Sequence, residues 1–265
     1  MSRAGAMVAV GIVMGLAAVG CSENETSAPT TRPPRTTTTT ASTCSDDPVF
    51  HDDDVPAADA LINASQLPAG DWTATTACRW STSGHDLLSN PECAASAGDA
   101  AAAQEERTGY ARATWVQADG AVRLDHRMEL YGSARKPGLI PVLFAGPGLA
   151  DCFAAAMRKQ AAGVSNTTVR AIEVMPYDVG LRPGELGADF FVRGVSISMT
   201  VESNGTNVPM AIRVVMLRAG GGLATMTVGR EGRAGSRPDL DGIDLVPTVR
   251  AAGRSFLASF GLTPP

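Results

Sequence analysis

This chain has few lysines and histidines, and it has no C-x-x-C motif. Only Lys136 and Lys159 are lysines, and no basic patch stands out in a chain whose formal net charge is −5. Nucleic acid is therefore not an expected partner, because its binding needs clustered positive charge. The three histidines (His51, His85 and His126) and the absence of any C-x-x-C pair give little support to a metal site. We predict no metal and no cofactor.

The N-terminal apolar run is too short to cross a membrane. It has 14 residues and ends at Val19, whereas a spanning helix needs about 20. One charge at Arg3, an apolar core and small residues afterwards are typical of a secretory signal. The tetrapeptide from Ala18 to Cys21 resembles the lipobox of bacterial lipoproteins, whose cysteine is acylated after cleavage just before it. We predict a lipoprotein signal peptide over residues 1–20 and a lipid on Cys21; an ordinary secretory signal is the alternative.

The segment after Cys21 is rich in Thr, Pro and Ser, and then in Asp. It has almost nothing apolar to bury and is predicted to be a disordered tether. The predicted organisation is a lipidated tether over residues 21–54 and one extracytoplasmic domain over residues 55–265, held on the cell membrane. His51 and the aspartates after it could bind a divalent cation, but their spacing is not that of a calcium loop. A solvated acidic linker is favoured.

Four cysteines remain besides Cys21. An even number in an oxidising compartment indicates disulfides, with three possible connectivities. We predict that Cys93 pairs with Cys152, because both lie near predicted helix starts that flank the first hairpin. That bridge would close a loop of about 58 residues and stabilise the fold by about 4 kcal/mol. Cys44 would then pair with Cys78.

Two β-hairpins are predicted from alternating apolar residues around a turn dipeptide. The first turns at Asp119-Gly120, and its register places Trp115 opposite Leu124, Ala113 opposite His126, and Ala111 opposite Met128. The second turns at Asn204-Gly205 and places four apolar residues of each arm opposite each other: Val195, Ile197, Met199 and Val201 against Val214, Ile212, Met210 and Val208. A third strand, from Leu223 to Val228, is predicted after a three-residue glycine loop, which would put Met226 opposite Met216.

Helical spacing appears in four other segments. Helices are predicted from Leu149 and from Val246, the second capped by Asp244 with Pro247 in its first turn. Ala57–Gln66 and Glu92–Glu106 are further candidates, and Thr168–Met175 is predicted to be a strand. The expected fold class is α+β: a largely antiparallel sheet built from hairpins, stabilised by disulfides, with helices packed on one face and the other face wetter.

The order of these elements resembles a known actinobacterial group. The segments "LINASQLPAGDW", "NPECAASAGDAAAA" and "LADCFAAAM", with the hairpins and terminal helix, are similar to exported lipoproteins related to the PknH-like extracellular sensor domain of mycobacterial receptor kinases. The resemblance covers roughly residues 55 to 262. It implies a disulfide-bonded sensing or binding module without established chemistry. No kinase accompanies it here, so any signalling output would need a partner.

Catalytic motifs are weak. Ser133 and Lys136 match S-x-x-K, but no S-D-N or K-T-G follows, and no nucleophile, base and orienting residue can be assembled from the sequence. We therefore predict no catalytic residues and a lipid-anchored binding or sensor-like module. The alternatives are an envelope interaction or structural lipoprotein without a small ligand, and an unrecognised envelope hydrolase.

The methionines suggest where a ligand could bind. Seven lie beyond the signal, all in predicted strands or helices: Met128, Met157, Met175, Met199, Met210, Met216 and Met226. Methionine adapts to irregular apolar space, so these side chains form either an ordinary core or an adaptable pocket for an apolar ligand. In the pocket hypothesis, Met128 contacts the ligand while Trp115 and His126 lie near the rim. A partner protein of the envelope is the other possibility.

Overall fold

The computed structural model describes residues 55–77, 93, 107–132, 134, 138, 148–182, 184–187, 190–233 and 235–261. Its elements are, in chain order, helix α1 (Val55–Asp59), a 3₁₀ turn (Ala64–Gln66), strands β1 (Trp72–Ala77), β2 (Arg107–Gln117) and β3 (Val122–Tyr131), helix α2 (Leu149–Ala162), strands β4 (Thr167–Tyr177), β5 (Phe191–Ser203), β6 (Thr206–Ala219) and β7 (Gly222–Glu231), and helix α3 (Val246–Ser259). The predicted signal, the tether, the Ser133–Lys136 motif and, apart from Cys93, the helix predicted over Glu92–Glu106 lie outside the described residues.

The seven strands form one antiparallel sheet in the order β1-β2-β3-β7-β6-β5-β4. It consists of two meanders, one of three strands and one of four, which meet where β3 pairs with β7. That contact places Asp125 opposite Thr227 and His126 opposite Met226. The predicted α+β class with an antiparallel sheet is confirmed.

Both predicted hairpin registers are confirmed. In the first, Trp115 pairs with Leu124 and Ala113 with His126. In the second, Ile197 pairs with Ile212, and the other three predicted apolar pairs also form. Asn204 and Gly205 both have positive φ, 50° and 77°, as a type I′ turn requires. Turn chemistry and apolar alternation agree at these two sites, and together they define the register.

The predicted register between β6 and β7 is wrong by one residue. Ala219 pairs with Gly222, so the turn has two residues rather than three, and Met226 pairs with Val215 instead of Met216. A slip of one residue moves every side chain of a strand to the other face. The alternation of apolar residues does not distinguish the two registers, because β6 is apolar on both sides.

The two faces of the sheet carry separate cores, and helices lie on both. On face A, defined by Leu124, Val215 and Met226, the core includes side chains of α1 and α3, among them the fully buried Phe256. On face B, defined by Val214, Ile197 and Asp125, α2 contributes Phe153, Met157 and Ala161 to a second core. The helices were expected on one face, but two apolar sides of β6 need two covers.

Helix α3 begins at Val246 as predicted, with proline in its first turn, but its N-cap residue is Leu245, which makes no side-chain cap hydrogen bond. The predicted cap, Asp244, lies one residue earlier and accepts a hydrogen bond from the amide of Val246 at 3.0 Å. The ring of Phe256 lies directly over Gly222 at the start of β7, where an added Cβ would come within 2.5 Å of Phe256 Cε2. Glycine at this position therefore permits the close approach of α3 to the sheet.

Candidate functional site

The most unusual surface of the sheet is a group of charged side chains on face B. They project from β2 and β3 and are here called the charged half: Arg112, Arg123, Asp125, Arg127 and Glu129. Alternation along β3 puts its members on one side, and the register places Arg112 directly opposite Arg127. This side was expected to be the wetter one, yet Asp125 is completely buried and Arg127 and Glu129 are each 7% exposed.

Asp125 is the innermost group of the charged half. Its Oδ2 accepts hydrogen bonds from Arg112 Nε at 2.5 Å and from the hydroxyl of Thr114 at 2.8 Å. Thr114 lies opposite Asp125 in the β2–β3 register, so the hairpin itself aligns the two groups. The second oxygen, Oδ1, is buried and has no hydrogen-bond partner among the described residues. A buried carboxylate oxygen without a donor is rare in folded proteins.

A second ion pair lies beside the first. Arg127 Nε is 3.4 Å from Glu129 Oε1, and the hydroxyl of Tyr131 donates to Glu129 Oε2 at 2.7 Å. Burial by itself lowers the pKa of Arg127, but Glu129 and the other acidic groups around it, Tyr110, Asp125 and Tyr131, raise it above its ordinary value. Burial also raises the pKa of Tyr110. Arg127 thus stays charged and Tyr110 stays protonated at neutral pH.

Arg123 is the least buried member of the charged half on β3. Its side chain is half-buried, and its Nε is buried without a hydrogen-bond partner in the part of the chain that the structure describes. Burial lowers the pKa of Arg123, the charge of Asp125 raises it, and the charge of Arg112 lowers it. Arg112 and Arg123 thus repel each other across Asp125, and the described contacts give Arg123 no carboxylate of its own.

The predicted ligand residues Trp115, His126 and Met128 lie together on face A. None is more than 5% exposed, and Trp115 and Met128 belong to the core that α1 and α3 cover. His126 Nδ1 accepts a hydrogen bond from the amide of Ile62 at 3.1 Å, which joins β3 to the segment after α1. Burial lowers the pKa of His126 to about 4, so the ring is neutral. A ligand contact for these three residues stays a prediction, and the contacts seen are those of a packed core.

The methionines do not gather at one place. Met128 and Met226 lie in the core of face A, whereas four others lie in the core of face B: Met157, Met199, Met210 and Met216. Met175 on β4 is 47% exposed. All seven fall in helices or strands as predicted, but the sheet separates them, so a single pocket cannot be lined by the whole set.

The predicted bridge between Cys93 and Cys152 is present, with both residues fully buried. It fixes α2 beside the core of face B, to which both cysteines belong. The lipidation site Cys21 and the pair Cys44–Cys78 lie outside the described residues. Within the described ranges, no group of three or more His, Cys, Asp and Glu could hold a metal ion. None of the described helices is long and apolar enough to cross a membrane.

Sequence reasoning missed the charged half as a site, although its signal was present. The alternation of Arg123, Asp125, Arg127 and Glu129 with apolar residues is the usual pattern of a strand with one solvent-exposed side, and the sequence predicts only that one face of the sheet is wetter. The predicted register already placed Arg112 opposite Arg127. Like charges directly opposite each other are unfavourable in a sheet, so this pair was a hint that the surface has another purpose.

Comparisons with known proteins give one structural likeness. The chain matches no protein-family model, and no curated protein matches it. Among solved structures, the extracellular domain of PknH from Mycobacterium tuberculosis is similar, with a TM-score of 0.40 and 8% sequence identity over 78% of this chain and 96% of that chain.

Proposed function

We propose that this protein is an exported lipoprotein, anchored to the cell membrane through Cys21, whose extracytoplasmic domain is a binding or sensor-like module. Its ligand would bind at the charged half of face B. No catalytic step is part of the proposal, and a signalling output would need a partner protein.

The burial of the charged half is the observation that carries this proposal. Moving charged groups out of water costs several kcal/mol for each ion, and a buried ion pair seldom stabilises a fold more than apolar residues would. Here two pairs, Arg112 with Asp125 and Arg127 with Glu129, lie side by side on one surface. Buried charged groups of this kind are found most often at functional sites, including binding sites.

The geometry favours binding over catalysis. Asp125 already accepts from Arg112 and Thr114, and Glu129 interacts with Arg127 and accepts from Tyr131. A general base must be within reach of its substrate's proton; in the described contacts these carboxylates mainly orient cations, and Asp125 Oδ1, which has no described donor, is buried. Such an arrangement presents arginine N–H groups in fixed directions.

The leader and the disulfide support export. The run that ends at Cys21 has the features of a lipoprotein signal, and the bridge between Cys93 and Cys152 is typical of an oxidising compartment. Replacement of Cys21 by Ser tests the anchor. The wild-type protein should partition into the detergent phase, and the Cys21→Ser protein should be uncleaved or freely secreted. A variant that is correctly processed and still enters the detergent phase contradicts lipidation at this residue.

Native mass spectrometry tests the binding function. The mature, lipidated protein extracted from its own membrane should carry a non-covalent adduct that denaturation removes. The Arg123→Gln protein should lose this adduct, while Arg193→Gln, which removes an equal charge from an exposed site on β5, should keep it. A clean apo mass for the wild type would favour the alternative, an envelope interaction protein without a small ligand.

A further inference from the structure

We propose that Arg112 and Arg123 bind an anionic group that also carries a hydroxyl, and that Asp125 accepts a hydrogen bond from this hydroxyl. Hydrogen phosphate is the simplest such ligand. This inference rests on the proposed function of the charged half and names its ligand chemistry.

The arginines supply the donors. Arg112 uses Nε for Asp125, and its side chain keeps 15% of its surface exposed, which leaves its two terminal nitrogens to donate outwards. Arg123 lies two residues from Asp125 on the same side of β3 and is half-buried. Guanidinium groups match the oxygens of phosphate and carboxylate, and such charge-assisted hydrogen bonds are among the stronger ones in proteins.

The charge balance favours an anion. Arg127 lies beside Glu129 and Arg112 pairs with Asp125, whereas no contact among the described residues pairs Arg123 with a carboxylate of its own. The charge of Arg112 also lowers the pKa of Arg123. This repulsion likewise favours the binding of an anion between the two. A bound anion would relieve both effects.

The unpaired atoms favour an anion that can also donate. Within the described ranges, Asp125 Oδ1 accepts no hydrogen bond and Arg123 Nε donates none, although both atoms are buried. A ligand that accepts from Arg123 and donates to Asp125 would satisfy both, and leaving either unpaired costs free energy. Phosphate keeps an O–H at neutral pH, whereas sulfate, of the same shape, has none and would place a bare oxygen against the carboxylate.

Phosphate and sulfate therefore make a matched pair of probes. Full-length protein in detergent at pH 7 and constant ionic strength is titrated with each anion by calorimetry. We expect phosphate to bind at least about tenfold more tightly than sulfate, and Arg123→Gln to weaken phosphate binding by about tenfold or more. Arg193→Gln is the control for a lost positive charge elsewhere and should change little. Equal binding of the two anions, or phosphate binding unaffected by Arg123→Gln, would overturn the inference.

A second variant tests the role of Asp125. Asp125→Asn has nearly the same shape and should lose the preference for phosphate over sulfate, because an amide no longer repels an unprotonated anion. Far-ultraviolet circular dichroism establishes that the variant is folded. If it is not, Thr114→Val, which removes one donor to Asp125, should reduce the preference instead. If the folded Asp125→Asn variant still prefers phosphate over sulfate to the same extent, Asp125 does not accept a hydrogen bond from the ligand.

The source of the phosphate is resolved by vesicles. Phosphatidic acid carries a phosphomonoester with an O–H, whereas phosphatidylmethanol is an anionic diester whose headgroup has no hydroxyl. Binding of free phosphate without Arg123-dependent binding to phosphatidic acid vesicles indicates a soluble ligand, and binding of both indicates access to a headgroup. If neither anion binds while native mass spectrometry still shows the adduct, the phosphate inference fails and the binding function stands.

Discussion

The hairpins β2–β3 and β5–β6 follow the same sequence rule and have opposite surroundings. Each has one predominantly apolar side, in the register that alternation and turn chemistry predict. The other side of β5 carries Ser196, Ser198 and Thr200, all half-buried. The other side of β3 carries the charged half, with Asp125 fully buried. Alternation thus shows which residues share a side, but it does not show which side water reaches.

The difference lies in what the polar residues must do when buried. A serine or threonine hydroxyl is easily satisfied by a neighbouring backbone group or by water. A buried carboxylate needs a cation and further donors, and Asp125 obtains them from Arg112 and Thr114 on β2. We therefore expect substitutions on the polar side of the second hairpin to change stability little and those on the charged half to change it strongly. Four substitutions test this contrast.

The largest effect is expected at Asp125. Asp125→Ala should lower the free energy of unfolding by about 3–5 kcal/mol, because it leaves the charge of Arg112 uncompensated beside a buried surface. Urea unfolding measures this. The double variant Asp125→Leu with Arg112→Leu should recover much of the loss, since it removes both charges. A single variant as stable as the wild type would show that water reaches this side after all.

The apolar side of β3 should make stability depend on pH. The pKa of His126 is lowered by burial to about 4, below its ordinary value of about 6.5. The unfolded chain therefore takes up the proton first as the pH falls. The contribution of the neutral ring is complete above about pH 6.5 and is lost down to about pH 4, a decrease of about 3 kcal/mol in the free energy of unfolding.

His126→Gln removes the titrating group and should flatten this dependence. Urea unfolding of both proteins between pH 7.5 and pH 4.5 makes the comparison. Identical pH profiles for the two proteins would mean that His126 is not the source.

A moderate effect is expected at the turn that joins the second hairpin to β7. Gly222→Ala should lower the free energy of unfolding by about 1–3 kcal/mol, because the added methyl group would overlap the buried ring of Phe256. Gly132→Ala is the control, since the atom nearest to a Cβ there is 3.9 Å away. Thermal unfolding distinguishes the two; equal midpoints would show that α3 can shift away from the sheet.

The smallest effect is expected on the polar side of β5. Ser198→Val should change the free energy of unfolding by no more than about 0.5 kcal/mol, as is usual for partly exposed positions without a buried polar network. Denaturant midpoints measure it. A loss above about 1 kcal/mol would mean that this side is as strictly organised as the charged half.

The sequence alone determined the features that depend on local chemistry. Turn dipeptides at Asp119-Gly120 and Asn204-Gly205, with alternation on both sides, were enough for both hairpin registers. Helical spacing located α2 and α3, and the helix starts around the first hairpin led to the pairing of Cys93 with Cys152. The hairpin and helix inferences use residues that are close in the chain, whereas the disulfide joins cysteines 59 residues apart and followed from their places near the predicted helix starts.

Only the tertiary structure decided what required distant contacts. The register of β7 could not be chosen, because β6 is apolar on both sides and either slip buries methionine. The partner of His126 is the amide of Ile62, 64 residues away, and no local pattern indicates it. The burial of the charged half is likewise indicated by no local pattern, because side chains that project from a sheet are covered by what packs over that face. Whether a polar side meets water is a property of what lies over it, and that depends on contacts between parts of the chain that alternation does not describe.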